Sequence, residues 1–246
     1  MSRAATKLPA GHDVAPHTFS DLDDYLGLDT TKWDSIQADT GATVTEDADG
    51  VGGVILLTTG ATDNNEAYHY SNEILKIAAN KPFEVEARIQ YAEANTDDAN
   101  VVVGVMDAIA ANHLLDNGAG LAASFDGACI YKVDGETRWR VKSSNGTTKT
   151  DTETDVTAGG SSYQLLRIRV EPISSTEAEI TFWIDASGGQ NPVQCREYNA
   201  NPRTPSIKHT VLLASMTEIA LVIGVKAGDT NSEVVSVDYT QIAATR

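Results

Sequence analysis

Apolar and polar residues alternate along most of this chain in short runs, and the period is two. In "FEVEARIQY" (83–91), Phe83, Val85, Ala87 and Ile89 fall on one side and Glu84, Glu86 and Arg88 on the other. That alternation predicts a strand with one face buried and one face outward. "YQLLRIRVEP" (163–172) and "EAEITFWIDA" (177–186) repeat the pattern, while "NVVVGVM" (100–106) and "EIALVIGVKA" (218–227) are almost continuously apolar. Further β-prone runs are "ATVTE", "GVILLTT", "EAYHY", "GACIYKV", "TRWRVKS", "VQCREY", "KHTVLLA" and "EVVSVDYTQI". Gly, Asn, Asp, Ser and Pro clusters bound each of them, which is turn chemistry. Asp134-Gly135 between two such runs predicts a tight hairpin. "EPISSTEAE" predicts a longer one.

Only "NEILKIAAN" (72–80) and "DAIAANHLLDNG" (107–118) read as short helices. Strands do not alternate with helices, so a parallel α/β sheet is disfavoured. About a dozen strands at short spacing predict an all-β fold, a two-sheet antiparallel β-sandwich or jelly roll. Residues 1–30, with Pro9, Gly11, Pro16 and the acidic "SDLDDYLGLD", lack the apolar residues for a core of their own. They are expected to form an N-terminal arm, either lying on the domain or on a partner or flexible, leaving 31–246 as one sandwich domain.

The order "FEVEARIQ", "YQLLRIRVEP", "AEITFWIDA" and a closing "EVVSVDYTQI" resembles the concanavalin A-like lectin/glucanase jelly roll. That resemblance implies the fold over 33–246; lectins, hydrolases and structural domains all use it. "LTTGATDNNEAY", "KPFEVEARIQYAEANTDDANVVVGVMDA", "SFDGACIYKVDGETRW", "RTPSIKHTV" and "LVIGVKAG" are similar to virion structural proteins of tailed bacteriophages, the capsid decoration or minor capsid proteins. This second resemblance implies a non-enzymatic coat role at the capsid surface after assembly in a host cytoplasm. The implied partners are the major capsid protein or other virion proteins. A homo-oligomer is expected, a trimer by analogy with symmetric assemblies. The alternative the fold carries is a carbohydrate-binding module that recognises a surface glycan, and after it a glycoside hydrolase.

Charge narrows the partners. Eighteen basic against 35 acidic residues leave a net charge of −17. Such a surface repels phosphate backbones and anionic lipid, so neither nucleic acid nor membrane is an expected partner. The start has no apolar signal region, and no apolar run reaches the length of a membrane span. Two cysteines, Cys129 and Cys195, make no disulfide framework and have no metal-ligand spacing.

Candidate chemistry is sparse. Glu84 and Glu86 share one strand face about 6.5–7 Å apart, which the carboxylate separation of an inverting glycosidase, about 6.5–9.5 Å, does not exclude. Glucanases of the resembled fold carry a third carboxylate further along, where this chain has Arg88. A guanidinium beside both acids favours their ionised forms, whereas a catalytic acid needs a raised pKa. Aromatic residues make up only 6% of the chain, and Trp33, Trp139 and Trp183 lie on separate strands, with Trp183 expected in the core or at a sheet margin. An outward charge ladder is therefore expected at Glu84 and Glu86.

"EDADG" (46–50), "TDNNE" (62–66) and "NTDDAN" (95–100) supply oxygens that calcium accepts, so Asp63, Asp97 and Asp98 are the candidate calcium ligands. None has EF-hand spacing, and turns demand the same residues. His12, His17, His69, His113 and His209 are scattered without zinc-site spacing, with His69 expected on a strand surface. No G-x-S-x-G occurs, Ser124 has no evident base, and no phosphate-binding glycine pattern appears. No catalytic residue and no cofactor are expected.

Overall fold

The computed structural model describes residues 18–245 except 38, 94, 96, 108, 160, 161, 189, 202 and 203. In chain order its strands are β1 (Thr18–Asp23), β2 (Trp33–Ile36), β3 (Thr43–Glu46), β4 (Ile55–Thr58), β5 (Glu66–Ser71) and β6 (Phe83–Ala92). Then come β7 (Asn100–Met106), β8 (Asp126–Lys132), β9 (Arg138–Asn145), β10 (Lys149–Thr157) and β11 (Gln164–Pro172). The last five are β12 (Glu177–Asp185), β13 (Val193–Gln194), β14 (Lys208–Leu212), β15 (Ala220–Lys226) and β16 (Val234–Thr245).

Two antiparallel sheets result. One runs β13-β12-β11-β6-β16-β4-β3, with β1 also on β16 and β14 also on β12; the other runs β10-β9-β8-β7-β15-β5-β2. The expected two-sheet sandwich is what forms. Its main core lies between the sheets, where Phe83, Val85, Ala87 and Ile89 of β6 meet Val101, Val103 and Val105 of β7 and Leu221, Ile223 and Val225 of β15 in one apolar cluster. Asp134-Gly135 does close the β8–β9 hairpin, with Gly135 at φ +79 and Glu136 N–H donating to Val133 O.

The segment expected to be an arm contributes to the sandwich from Thr18 onward: β1 pairs with the C-terminal strand, Thr18 opposite Thr245 and Asp23 opposite Thr240. Tyr25 follows into the core, its hydroxyl 3.1 Å from Thr240 Oγ1. The rest of that expectation, residues 1–17, lies outside the described residues.

Neither short helix forms. Residues 72–80 are bends and turns with one β-bridge, Leu75 to Ile219. Residues 107–118 contain turns, a bridge between Leu114 and Leu121, and a three-residue 3-10 turn at Asp116–Gly118. Asn80 in the first segment and Asn112 and Asn117 in the second sit at positive φ, which breaks any helical run. β10 went unmarked in the sequence because it is all Lys, Thr, Asp, Glu and Val; its six register partners on β9 hold it at the sheet edge.

Candidate functional site

Three regions bring chemistry-bearing side chains together. The first is the outer face of the seven-stranded sheet, the face turned away from the core. Along β7, β8 and β15 every residue is buried, on both faces. A second apolar cluster explains this: Tyr68, Val102, Met106, Cys129 and Val222 rise from the sheet and are covered by Leu114, Leu121 and Phe125 of the segment 107–125. Burying each of those three covering side chains contributes about 1.5–3 kcal/mol. Gly224 leaves the room that the Tyr68 ring takes up over β15, since a Cβ there would lie 2.3 Å from that ring.

Polar contacts tie the covering segment down. The Lys226 ammonium, fully buried, donates to Asn112 Oδ1 at 2.8 Å and Leu114 O at 3.0 Å, and pairs with Asp116 at 2.6 Å and Glu66 at 3.4 Å. Glu66 also accepts the Asn112 N–H at 2.6 Å, and Tyr68 OH accepts the Leu114 N–H at 2.8 Å. Burial and the Glu66 charge raise the Tyr68 hydroxyl pKa, which keeps it a neutral donor to Glu66. At the other end, Asp126 and Asp107 hold Thr217 and the backbone of the segment's return.

Beyond this cover, the edge strand β10 and, on β9, Arg138 and Arg140 are less buried. Tyr131 OH donates to Asp151 Oδ2 at 2.5 Å, and Arg140 donates to the Tyr131 oxygen, Asp151 and Glu136, each at 3.2 Å. Arg138 stacks 3.9 Å from the centre of the Tyr198 ring, which is 39% exposed.

The second region is the expected ladder on the nine-stranded sheet. Glu84 and Glu86 do point outward, and register sets Arg169 and Arg167 of β11 opposite them. The guanidinium that joins them is Arg167, at 3.3 Å from Glu84 and 2.5 Å from Glu86, and not Arg88 as the sequence suggested. Arg88 pairs instead with Asp238 at 2.6 Å. The register shift between Val237 and Tyr239 explains the exchange: the bulge turns both Asp238 and Tyr239 outward. Tyr239 OH donates to the remaining Glu86 oxygen at 2.7 Å. Both oxygens of Glu86 are thereby engaged in an ion-paired lattice on a sheet surface. Trp183 is half-buried on the same outer side of β12, next to the marginal strand β13.

The third region is the sandwich end where the loops 59–65, 93–99, 133–137 and 227–233 meet. Two of the three calcium candidates, Asp63 and Asp98, converge there with Asp134 and Asp229: burial, then the charge of Asp98 and after it Asp63 and Asp229, raise the Asp134 pKa. Asp97 contributes its carbonyl, which accepts from the Lys132 ammonium at 2.8 Å; Ala99 O at 2.9 Å and Glu93 at 2.6 Å complete that cage. Among the described residues no group of three or more His, Cys, Asp or Glu side chains is placed to hold a metal ion.

The histidines divide differently from expectation. His69 is 2% exposed, not at the surface: it stacks on Trp33 at 4.6 Å, with Tyr25 edge-on at 5.8 Å. Neither ring nitrogen has a hydrogen-bond partner among the described residues, and burial lowers its pKa to about 4. His209 is also buried, with Ser143 Oγ at 3.0 Å and Thr152 Oγ1 at 3.1 Å from its two nitrogens, and burial lowers it to about 4. Burial likewise raises Cys195 to about 12, so it is an inert core thiol.

No family model matches the sequence, and no curated protein does. Solved structures do match along almost the whole chain. An endo-1,3-beta-glucanase from Streptomyces sioyaensis is 14% identical, with 98% of this chain and 99% of that one covered at a TM-score of 0.58. An endo-beta-1,4-glucuronan lyase from Trichoderma reesei is 10% identical over 93% and 95%, TM-score 0.57. Peanut lectin is 11% identical over 93% and 97%, TM-score 0.54. At these identities the likeness is one of fold: the chain has the concanavalin A-like lectin/glucanase β-sandwich.

Proposed function

We propose that this chain is a non-enzymatic structural protein of a tailed-phage virion, which decorates or cements the capsid shell through surface complementarity. The observation that carries this reading is the closed outer face of the seven-stranded sheet. Leu114, Leu121 and Phe125 fill it with an apolar layer, locked by Lys226. A dry, filled face gives a rigid body and leaves no room there for a polymeric substrate. The Glu84/Glu86 pair supports the same reading, because Arg167 and Tyr239 take up its oxygens in a lattice typical of a solvent-facing or contact surface. The sequence resemblance to virion proteins supplies the identity of the shell, and symmetric shells favour a homo-oligomer such as a trimer. Peptide mass spectrometry of purified virions tests it: the chain's peptides are expected at a stoichiometry comparable to a coat component, and their absence from particles would refute the reading.

A second reading, a glycan-binding module, is favoured by the β9–β10 edge of that sheet. There Arg138 stacks on the Tyr198 ring, whose backbone N–H donates to Glu153 O of the same edge strand that carries the Arg140–Asp151 ion pair. The fold neighbours described as a lectin and a glucanase are in keeping with it.

A further inference from the structure

Lys132 and Lys226 are both fully buried in the seven-stranded sheet, and their surroundings differ in one chemical respect. Lys132 meets the Glu93 carboxylate and two main-chain carbonyls, Asp97 O and Ala99 O. Lys226 meets a side-chain carboxamide as well: Asn112 Oδ1 lies 2.8 Å from its Nζ. A carbonyl bond is about 1.2 Å long, so Asn112 Cγ is within about 4 Å of that nitrogen.

The fold builds this contact from three elements. Register sets Glu66 of β5 directly opposite Lys226 of β15, and Glu66 is only 2% exposed. Asn112 comes from the covering segment, with its backbone left-handed at φ +60 and its N–H donated to Glu66 Oε1 at 2.6 Å. Glu66 Oε2 faces Lys226 at 3.4 Å and accepts from Tyr68 OH at 2.9 Å. One carboxylate therefore touches both the lysine nitrogen and the asparagine backbone. Among the described residues, Leu114 O at 3.0 Å and half-exposed Asp116 at 2.6 Å complete the shell around Nζ.

Four acyl carbons thus surround one amine nitrogen, and three of them resist it. Carboxylates such as Glu66 and Asp116 are poor electrophiles. Attack on the Leu114 peptide would release an amine that stays tethered to the chain and returns. At Asn112 the leaving group is ammonia, and this residue is exposed at the margin of the cover, so ammonia escapes.

We propose that Lys226 and Asn112 join in an isopeptide bond that the chain makes by itself, with Glu66 as the proton carrier. The Lys226 ammonium gives a proton to Glu66, which turns two buried charges into neutral groups. The amine lone pair then attacks Asn112 Cγ and forms the new C–N bond. Collapse of the tetrahedral intermediate breaks the bond from Cγ to Nδ2. Glu66 passes the two protons shed by Nζ to Nδ2, so one ammonium ion leaves and the carboxylate is regenerated. No oxidant or co-reactant is needed; holding the two groups in contact supplies the rate. The ion pair is the state from which the bond forms. The bond welds the cover to the sheet between residues 114 positions apart, whether the chain coats a shell or binds a glycan.

Intact-mass spectrometry of the purified full chain, denatured after incubation at neutral pH, is the test. The expected mass is that of the sequence less one ammonia, and digestion should give a branched peptide that carries both Lys226 and Asn112. Asn112→Ala and Lys226→Arg should each show the full sequence mass, while Asp116→Ala should still lose ammonia. Glu66→Gln should slow the loss about a hundredfold in a time course from fresh expression. A wild-type chain of full sequence mass overturns the proposal, even where a variant does not fold. Loss of water overturns it too, since that places the bond on Asp116. So does loss of ammonia with the two peptides recovered separately, which marks a cyclised asparagine elsewhere.

Discussion

The Lys226 ammonium on β15 lies 2.6 Å from a carboxylate oxygen of Asp116, a residue 110 positions earlier in the segment that crosses the same sheet. The pair fixes that segment across the sheet and closes the outer face. With Glu66 as a second carboxylate and Asn112 and Leu114 supplying oxygens, the lysine needs no solvent. Whatever the protein binds, it binds with a body whose two largest faces are a filled one and a salt-bridged one.

Removing that ammonium leaves Glu66 buried beside Asp116 with no counter-charge. Lys226→Met is therefore expected to cost about 3–5 kcal/mol, measured by urea unfolding. Hydrogen exchange should rise in 107–118 before it rises in β7 or β15. A uniform rise across the sheet would show that the segment is not a separately held cover.

Acid should loosen the fold through its buried histidines. His69 and His209 have folded pKa values of about 4 against an ordinary 6.5. The unfolded chain takes up protons that the folded chain refuses, so stability falls as pH drops from 6.5 to 4 and flattens below 4. Each site accounts for roughly 3 kcal/mol over that window. Replacing His69 by Phe, which keeps the stack on Trp33, should flatten the pH dependence of the urea midpoint by about half; an unchanged slope would remove His69 from the account.

The acidic end predicts the opposite sign. Burial and then Asp98 hold the Asp134 pKa above its ordinary value, so the folded chain binds this proton more tightly than the unfolded one and loses stability as pH rises through that range. Asp134→Asn is expected to raise the melting temperature at pH 7. The gain should vanish below the ordinary value of 3.8. The turn tolerates the change because asparagine favours the same hairpin position.

On the outward ladder the two glutamates are not equal. Glu86 is bound by Arg167 and Tyr239, both part-buried, while Glu84 meets Arg167 at 3.3 Å. Glu86→Gln should cost about 2 kcal/mol, and Glu84→Gln less than about 1 kcal/mol. A double-mutant cycle between Glu86 and Arg167 should give a coupling of about 1–3 kcal/mol. Reducing-sugar release from β-glucans should stay at buffer level with wild type and with the double Gln variant alike.

Much of this architecture is legible in the sequence, and the failures have physical causes. Alternation in β6, β11 and β12 marks strand and inward face together, because one side of the nine-stranded sheet meets water. In "EAYHY" the same alternation does not tell which side is inner. The covering segment buries Tyr68 on one side while the core buries His69 on the other, so His69 was misplaced at the surface. The covering segment itself has no period: Ile109, Leu114, Leu121 and Phe125 are spaced by where the sheet offers room, and only the apolar residues within 107–118 suggest a helix. The lysine clasp joins residues 112 and 110 positions apart and leaves no local signal. Arg88 was credited with Arg167's role because only a neighbour in sequence is visible there, whereas the partner comes across a strand. The gathering of Asp63 and Asp98 at one end was legible as turn chemistry; their company with Asp134 and Asp229 needed the topology.

Under the proposed function, this closed sandwich attaches to a capsid shell. Mixing the purified chain with undecorated tailed-phage heads and counting bound copies per shell by electron cryomicroscopy tests it most directly. The account predicts ordered density at fixed lattice positions, with the 107–125 cover in place. Bare shells, together with tight binding of a glycan by the same preparation, would contradict it.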